Sequence, residues 1–306
     1  MAKQKEPPAE LLTVRDFWRW AVSRFSEAGL AYGQGTTNAA DEAAFLVLET
    51  LHLPIDRLDP FLDARLTAAE RKAVAAIVDA RVRTRKPASY LTGTAYIQGV
   101  RFRVDPRAIV PRALIGELIA AGIADPDGLG LIADAASVET ILDLCTGTAC
   151  LAILAAMDFP AAMVDAVELA PGTAELARLN IADHGLSKRV RLLEGDLWAP
   201  VARRRYDLIL ANPPYVDAAA MAALPPEFRH EPALALDGGR DGLAIVRRII
   251  DRAAKHLKPG GGLLCEVGSQ RARVEAAYPD LDFLWLDTEE TEGEVFWLSA
   301  EAAGVA

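Results

Sequence analysis

The alternation of strand-like and helix-like segments beyond residue 138 restricts the possible folds of this chain more than any other feature. Apolar, β-rich runs at 139–144, 163–167, 190–194 and 206–211 are separated by segments rich in Ala and Leu. This predicts an α/β fold, a doubly wound and mostly parallel sheet with helices on both faces. A helix over 242–257 is expected to stop at Pro259-Gly260-Gly261-Gly262, ahead of another strand at 263–267. The runs 283–285 and 295–298 are joined by a short acidic turn, so the last strand should be antiparallel.

The residues before 113 follow other patterns. Thr13-x-x-Asp16, Asn38-x-x-Asp41 and Thr67-x-x-Glu70 each precede apolar residues at helical spacing and read as helix starts. Pro87 ends the last of these. The Phe17, Trp20 and Phe25 stripe is most simply core packing. Two β-rich runs, 95–97 and 100–104, flank Gln98-Gly99 and predict a hairpin. The expected organisation is a small helical domain over 1–88, a hairpin linker over 89–112 and the α/β domain over 113–306. Arg112 opens the next helix as a surface charge or as a group that reaches a ligand.

Composition narrows the functional classes. A chain of 306 residues with 52% hydrophobic content can bury one large or two medium cores. The net charge of −10 disfavours a chain that binds mainly by neutralising phosphates and favours a basic protein partner. The dense basic runs, 81–86 and 203–205, are expected to be solvated helix ends or loops. Cys145, Cys150 and Cys265 form an odd, sparse set that suits free thiols. His52, His184, His230 and His256 are dispersed without ligand spacing, so no metal is expected. The opening residues lack an apolar h-region and no stretch approaches a membrane span, which leads to the expectation of a cytoplasmic protein.

The candidate chemistry lies at the carboxyl ends of the parallel strands, where open α/β sheets bind ligands. Cys145-Thr146-Gly147-Thr148-Ala149-Cys150 is a small-residue turn that lets a ligand approach the backbone, but it lacks the three glycines of a pyrophosphate loop. Glu168 ends the second strand and can accept both hydroxyls of a ribose. After the third strand, Asp196 can accept an exocyclic adenine amine, with Leu197 against the ring, or can simply cap a helix. Asn212-Pro213-Pro214-Tyr215 follows the fourth strand. An amide nitrogen is a poor nucleophile, so an enzyme that alkylates it must hold the NH2 in place. The Asn212 side-chain carbonyl and the Pro213 backbone carbonyl supply two acceptors, Tyr215 offers a ring, and the two prolines stiffen the backbone. The plain alternative is a Pro-rich strand-to-loop turn.

Asp143-Leu-Cys-Thr-Gly-Thr, Glu168, Gly195-Asp196 and Asn212-Pro-Pro-Tyr together resemble the class I S-adenosylmethionine-dependent methyltransferases of the HemK-like protein-glutamine group. The likeness covers nearly the whole chain and includes Ile109-Val-Pro-Arg112 and the segment 236–243. Trp20-Ala-Val-Ser-Arg-Phe, Tyr32-Gly-Gln-Gly-Thr, Ile115-Gly-Glu-Leu-Ile and Glu227-Phe-Arg-His-Glu-Pro resemble the branch that methylates a glutamine of large-subunit ribosomal protein three. The resemblance implies a Rossmann-like methyltransferase domain after a substrate-recognition domain. It implies S-adenosylmethionine contacts from Asp143, Cys145, Thr146, Gly147, Thr148, Ala149, Glu168, Asp196, Leu197 and Asn212. It further implies that Asn212, Pro213, Pro214 and Tyr215 bind the target glutamine, with Asn212, Pro213 and Tyr215 catalytic. The acceptor would be the ribosomal protein, free or within a pre-ribosomal particle. Glu168 stands where family members often carry Asp, and Cys145 and Ala149 replace glycines of the release-factor branch. His230 and Glu231 are expected on a surface loop. Two other acceptors stay open at this point: a release-factor glutamine, and adenine N6 in a nucleic acid.

Overall fold

The structure is a computed structural model that describes residues 8–125, 127–289 and 291–305. The chain divides into two compact units, one of residues 1–95 with 224–230 and one of 96–223 with 231–306.

The first unit is helical. Helices α1 (Val14–Glu27), α2 (Ala39–Thr50) and α3 (Ala68–Thr84) are followed by the short α4 (Ala88–Thr92). Their starts follow the sequence signals. Thr13 and Thr67 form reciprocal capping boxes with Asp16 and Glu70, and the Asn38 side chain accepts from the Ala40 and Asp41 N–H groups. Arg85, in the left-handed region at φ 56°, ends α3 two residues before Pro87. Phe17 and Phe25 are fully buried against Leu46, Val74 and Val78, and Trp20 packs edge-on against Phe17.

The basic run 81–86 departs from expectation. Arg81 is fully buried, and its guanidinium pairs with the buried Glu42 carboxylate at 2.7 Å. The helix start supplies an interior carboxylate, so the charge is compensated inside rather than solvated.

A two-stranded hairpin, β1 (Thr94–Ile97) and β2 (Val100–Arg103), leads into the second unit. Gln98 and Gly99 both have positive φ, as a two-residue hairpin turn requires. Then follow α5 (Ile115–Ala120), β3 (Thr140–Leu144), α6 (Cys150–Asp158), β4 (Met163–Glu168), α7 (Pro171–Asp183), β5 (Val190–Glu194) and β6 (Tyr206–Ala211). After α8 (Ala218–Ala223) come α9 (Ala244–His256), β7 (Leu257–Glu266), α10 (Arg271–Ala277), β8 (Leu284–Leu286) and β9 (Val295–Ser299).

The seven strands β3–β9 form one sheet in the order β5-β4-β3-β6-β7-β9-β8. The five strands β3–β7 run parallel, while β9 is antiparallel to both neighbours, as the short turn predicts. Both faces are covered, which is why the strands read as continuous apolar runs. On one face Ile141 and Val164 pack with Leu118 and Ile153, and on the other Leu142 and Leu144 pack with Val246 and Ile249.

Strand β7 begins earlier than expected, at Leu257, because the glycine run is drawn into the sheet through a register shift opposite Tyr206 and Leu208. A Cβ at Gly262 would lie 2.2 Å from the Trp297 ring, and one at Gly261 would lie 2.4 Å from the Asp207 carbonyl. Those glycines admit neighbouring groups to the sheet as well as stopping the helix.

Candidate active site

Strand register brings the expected site residues to one edge. Leu144 is level with Val167 and Ala211, Glu168 with Glu194, and Ala211 with Cys265. The next residues along the chain, Cys145, Gly195, Asn212 and Glu266, therefore follow adjacent strand positions at the carboxyl rim.

The turn after β3 is shaped by positive φ angles at Cys145 (58°), Gly147 (57°) and Ala149 (64°). Two of these residues are not glycine, and each such residue costs about 1 kcal/mol or more in local strain. Several bonds hold the turn. The Thr146 N–H donates to the Val167 carbonyl at 3.0 Å, and the Thr146 hydroxyl donates to Asp143. The Ala152 N–H also donates to Asp143 at 3.1 Å. Burial pushes the Asp143 carboxyl up to about 7 despite the hydrogen bonds that oppose the shift, and its Oδ1 is buried without a partner among the described residues. Asn180, absent from the sequence expectations, fixes the far side of the turn: its amide donates to the Thr148 carbonyl at 3.0 Å and to the Arg103 carbonyl at 3.1 Å.

Glu168 reaches across to this turn. One carboxylate oxygen accepts from the Gly147 N–H at 2.9 Å and the other from the Ala170 N–H at 2.8 Å. Burial raises its carboxyl above the ordinary range, against the pull of these bonds. Each oxygen retains a lone pair for a further donor such as a ribose hydroxyl.

Asp196 is exposed and pairs with Arg248 at 2.6 Å, an ion pair the sequence did not suggest. Leu197 is buried at φ 45°. Three of the six described non-glycine residues with positive φ, Cys145, Ala149 and Leu197, thus lie in the two rim loops after β3 and β5.

The tetrapeptide Asn212-Pro213-Pro214-Tyr215 leaves β6 directly. Among the described residues nothing hydrogen-bonds the Asn212 carboxamide, which is half-buried, or the carbonyl of the buried Pro213. Its backbone is seated on glycines. A Cβ at Gly238 would lie 2.7 Å from Tyr215 Cα, and one at Gly242 would lie 2.5 Å from the Tyr215 carbonyl. Two further bonds, Val216 N–H to the Leu236 carbonyl and Gly238 N–H to the Val216 carbonyl, both at 2.9 Å, pin the adjoining strands of chain.

Tyr215 does more than offer a ring. Its hydroxyl donates to Glu266 at 2.9 Å, and a Cβ at Gly268 would meet its ring at 2.6 Å. In the sequence Glu266 reads only as part of the strand at 263–267, although an acid at the carboxyl end of the strand beside Asn212 carries the same signal as Glu168.

Glu231 is not on a surface loop. It is buried, accepts from the Val110 N–H at 2.9 Å and grips the Arg112 guanidinium at 2.6 and 3.0 Å. This fixes Arg112 as an internal clamp. His230 belongs to the helical unit, where its ring nitrogen lies 3.0 Å from the Thr84 carbonyl. There too the buried Glu227 accepts from the Ala31 N–H at 3.1 Å and pairs with Arg85 at 2.8 Å.

A cavity of about 340 Å³ opens at the opposite ends of the strands, lined by Thr140, Asp165, Arg191, Arg204 and Tyr206 among others. Asp165 is already neutralised there by Arg191 and Arg204, at 2.7 and 2.6 Å. Its one carboxylate is thus already paired, unlike Glu168 and Asp143 at the carboxyl rim, which keep acceptor capacity. No described group of His, Cys, Asp and Glu is arranged to hold a metal ion.

The family model "Methyltransferase small domain" matches residues 130–225, which include every expected cofactor and substrate residue. A Bradyrhizobium diazoefficiens protein named ribosomal protein uL3 glutamine methyltransferase is 55% identical over 292 residues, covering 95% of this chain and 92% of its own length. The chain belongs to the ribosomal protein uL3 glutamine methyltransferase family. A Burkholderia pseudomallei protein of the same name is 51% identical over 301 residues, covering 96% of each chain. Among solved structures, the hMettl16 catalytic domain in complex with MAT2A 3'UTR hairpin 1 covers 98% of this chain and 95% of its own, at TM-score 0.50 and 13% identity. That likeness speaks to the fold alone, which is the mostly parallel methyltransferase sheet.

Proposed function

We propose that this chain transfers a methyl group from S-adenosylmethionine to the side-chain amide nitrogen of a glutamine in ribosomal protein uL3. One observation carries the reading: in a chain of this family, two carbonyl acceptors that no described residue hydrogen-bonds, those of Asn212 and Pro213, leave β6 beside the small-residue turn of β3.

The residues present fit the cofactor. Glu168 has lone pairs left for a ribose, Asp143 has an unpartnered buried oxygen, and Asp196 keeps one carboxylate oxygen outside its pair with Arg248. Residues 145–149 would hold the methionine portion, Glu168 the ribose, and Asp196 with Leu197 the adenine. S-adenosylmethionine supplies a methyl group made electrophilic by a positively charged sulfur.

The chain's own contribution is positioning. Asn212 and Pro213 accept the two hydrogens of the glutamine NH2, turning the nitrogen lone pair toward the methyl carbon. Holding two reactants at near-attack distance contributes on the order of 7 to 11 kcal/mol. As the nitrogen gains positive charge its N–H groups become stronger donors, so the same two carbonyls bind the transition state more tightly than the ground state. The nitrogen–carbon bond forms as the carbon–sulfur bond breaks, its electron pair staying on the sulfur of the departing S-adenosylhomocysteine, and the acidic N–H of the product passes its proton to a carbonyl or to water.

The helical unit selects the acceptor in this account, and its location is cytoplasmic, where the three free thiols stay reduced. In support, the two branch-typical motifs Tyr32-Gly-Gln-Gly-Thr and Glu227-Phe-Arg-His meet within that unit, with the Gln34 amide 3.5 Å from the Glu227 carbonyl. Phe228→Ala should raise KM for uL3 and leave cofactor affinity unchanged; an unaltered KM counts against selection by this unit.

The test offers purified chain and labelled S-adenosylmethionine three acceptors: uL3, free or within a pre-ribosomal particle, a peptide release factor, and nucleic acid. Label on uL3 supports the proposal. Preferential label on the release factor or on adenine overturns it.

A further inference from the structure

Glu266 is the last residue of β7 and lies just past the level of Ala211, the residue before Asn212. Its side chain is buried and both oxygens are used: Oε1 accepts from the Tyr215 hydroxyl at 2.9 Å and Oε2 from the Leu114 N–H at 2.8 Å. The Tyr215 ring also lies close against Gly268, and the Tyr215 backbone against Gly238 and Gly242. The bond to Glu266 is thus the polar tether of a side chain whose backbone carries the amide-holding motif.

We propose that Glu266 is a positioning residue for methyl transfer, fixing Tyr215 and through it the Asn212–Pro213 acceptors; this rests on the glutamine-methylating reading above. A buried carboxylate is the strongest acceptor a tyrosine hydroxyl can find, and it fixes the ring rotation that a purely apolar seat leaves loose.

Four groups face Glu266: the Tyr215 hydroxyl after β6, the Leu114 N–H and the Arg112 guanidinium before α5, and the Glu294 carboxylate before β9. The Cys265 thiol neighbours it along β7, and Glu231 holds Arg112 from behind. Burial, aided by Glu294 and opposed by Tyr215, Leu114 and Arg112, pushes its carboxyl up to about 7. With both oxygens already accepting, an added proton displaces or weakens one of the two bonds. Positioning should therefore weaken as pH falls through neutrality.

The experiment compares wild type with Glu266→Gln, Tyr215→Phe and the double variant in methyl transfer to uL3 from about pH 6 to pH 8.5. Glutamine has one carbonyl oxygen for two donors, so Glu266→Gln should lower kcat about tenfold or more. Its rate should lose the acid limb near pH 7, while cofactor affinity stays within about twofold of wild type. Tyr215→Phe should do the same, and the double variant should be no slower than the slower single variant. A Glu266→Gln enzyme with wild-type kcat and the wild-type acid limb overturns the proposal; if that variant does not fold, Tyr215→Phe is judged by the same two readings.

A second measurement is independent of the acceptor. Amide exchange at Val216 and Gly238 should accelerate in whichever folded variant is used, and unchanged protection there overturns the positioning role. Accelerated exchange together with no methyl transfer by the wild type would count against the acceptor assignment alone.

Discussion

Replacing Gly238 by alanine should slow methyl transfer while leaving the cofactor site intact. The added methyl would lie 2.7 Å from both Tyr215 Cα and the Gly242 carbonyl, and 2.8 Å from the Tyr215 carbonyl carbon. All three are backbone atoms and cannot rotate aside. Restoring an ordinary contact of roughly 3.4 Å needs a displacement of about 0.7 Å, taken up by the segment that carries the two acceptors. Overpacking of this kind costs about 1–3 kcal/mol of stability. A misplacement near 1 Å costs about a hundredfold in rate.

Gly261→Ala is the control, because its methyl would lie 2.4 Å from the Asp207 carbonyl at the entry end of the sheet. Both variants should melt earlier in a thermal scan. Only Gly238→Ala should lose about a hundredfold in kcat with cofactor affinity within about twofold. Equal kcat values for the two variants would refute the idea that the glycine seat sets the position of the tetrapeptide.

Three further expectations follow from single contacts. Glu168→Ala removes the acceptor for the Gly147 and Ala170 N–H groups, so the dissociation constant for S-adenosylmethionine should rise about tenfold or more by calorimetry, with Glu168→Asp intermediate. Arg81→Met leaves Glu42 buried and unpaired, at a cost of about 3–5 kcal/mol in the denaturant unfolding of the helical unit; adding Glu42→Leu should recover most of it. Asp143 is held protonated up to about 7 in the fold but ionises near the ordinary 3.8 when unfolded, so the fold binds more protons between those values. Stability from this group is full below about pH 4 and is lost as pH rises to about 7. Asp143→Asn, which keeps an acceptor for Thr146 and Ala152, should flatten the fall in stability across that window, and an unchanged slope in denaturant titrations would contradict it.

The sheet was legible because its strands are buried on both faces and so appear as uninterrupted apolar runs between small-residue turns. The helical starts at Thr13, Asn38 and Thr67 were legible because capping is local. What escaped the sequence was whatever depends on distant partners. Arg81 reads as surface charge until Glu42 is placed beside it, and Glu231 reads as loop until Arg112 and Val110 are placed around it. Glu266 was hidden within an apolar run, since its two donors come from segments 51 and 152 residues away. The positive φ at Cys145, Ala149 and Leu197 was only partly foreseeable: the first two stand where glycines were expected, whereas nothing in the sequence marked Leu197.

The central claim is that the Asn212 and Pro213 carbonyls hold a glutamine amide of uL3 for methylation. The most direct measurement is tandem mass spectrometry of uL3 after incubation with S-adenosylmethionine and either the wild-type chain or Asn212→Ala. The account predicts a gain of about 14 Da on one glutamine side chain with the wild type, and a loss of that signal of about a hundredfold with the variant. A methyl group on any other residue, or equal modification by both chains, would contradict it.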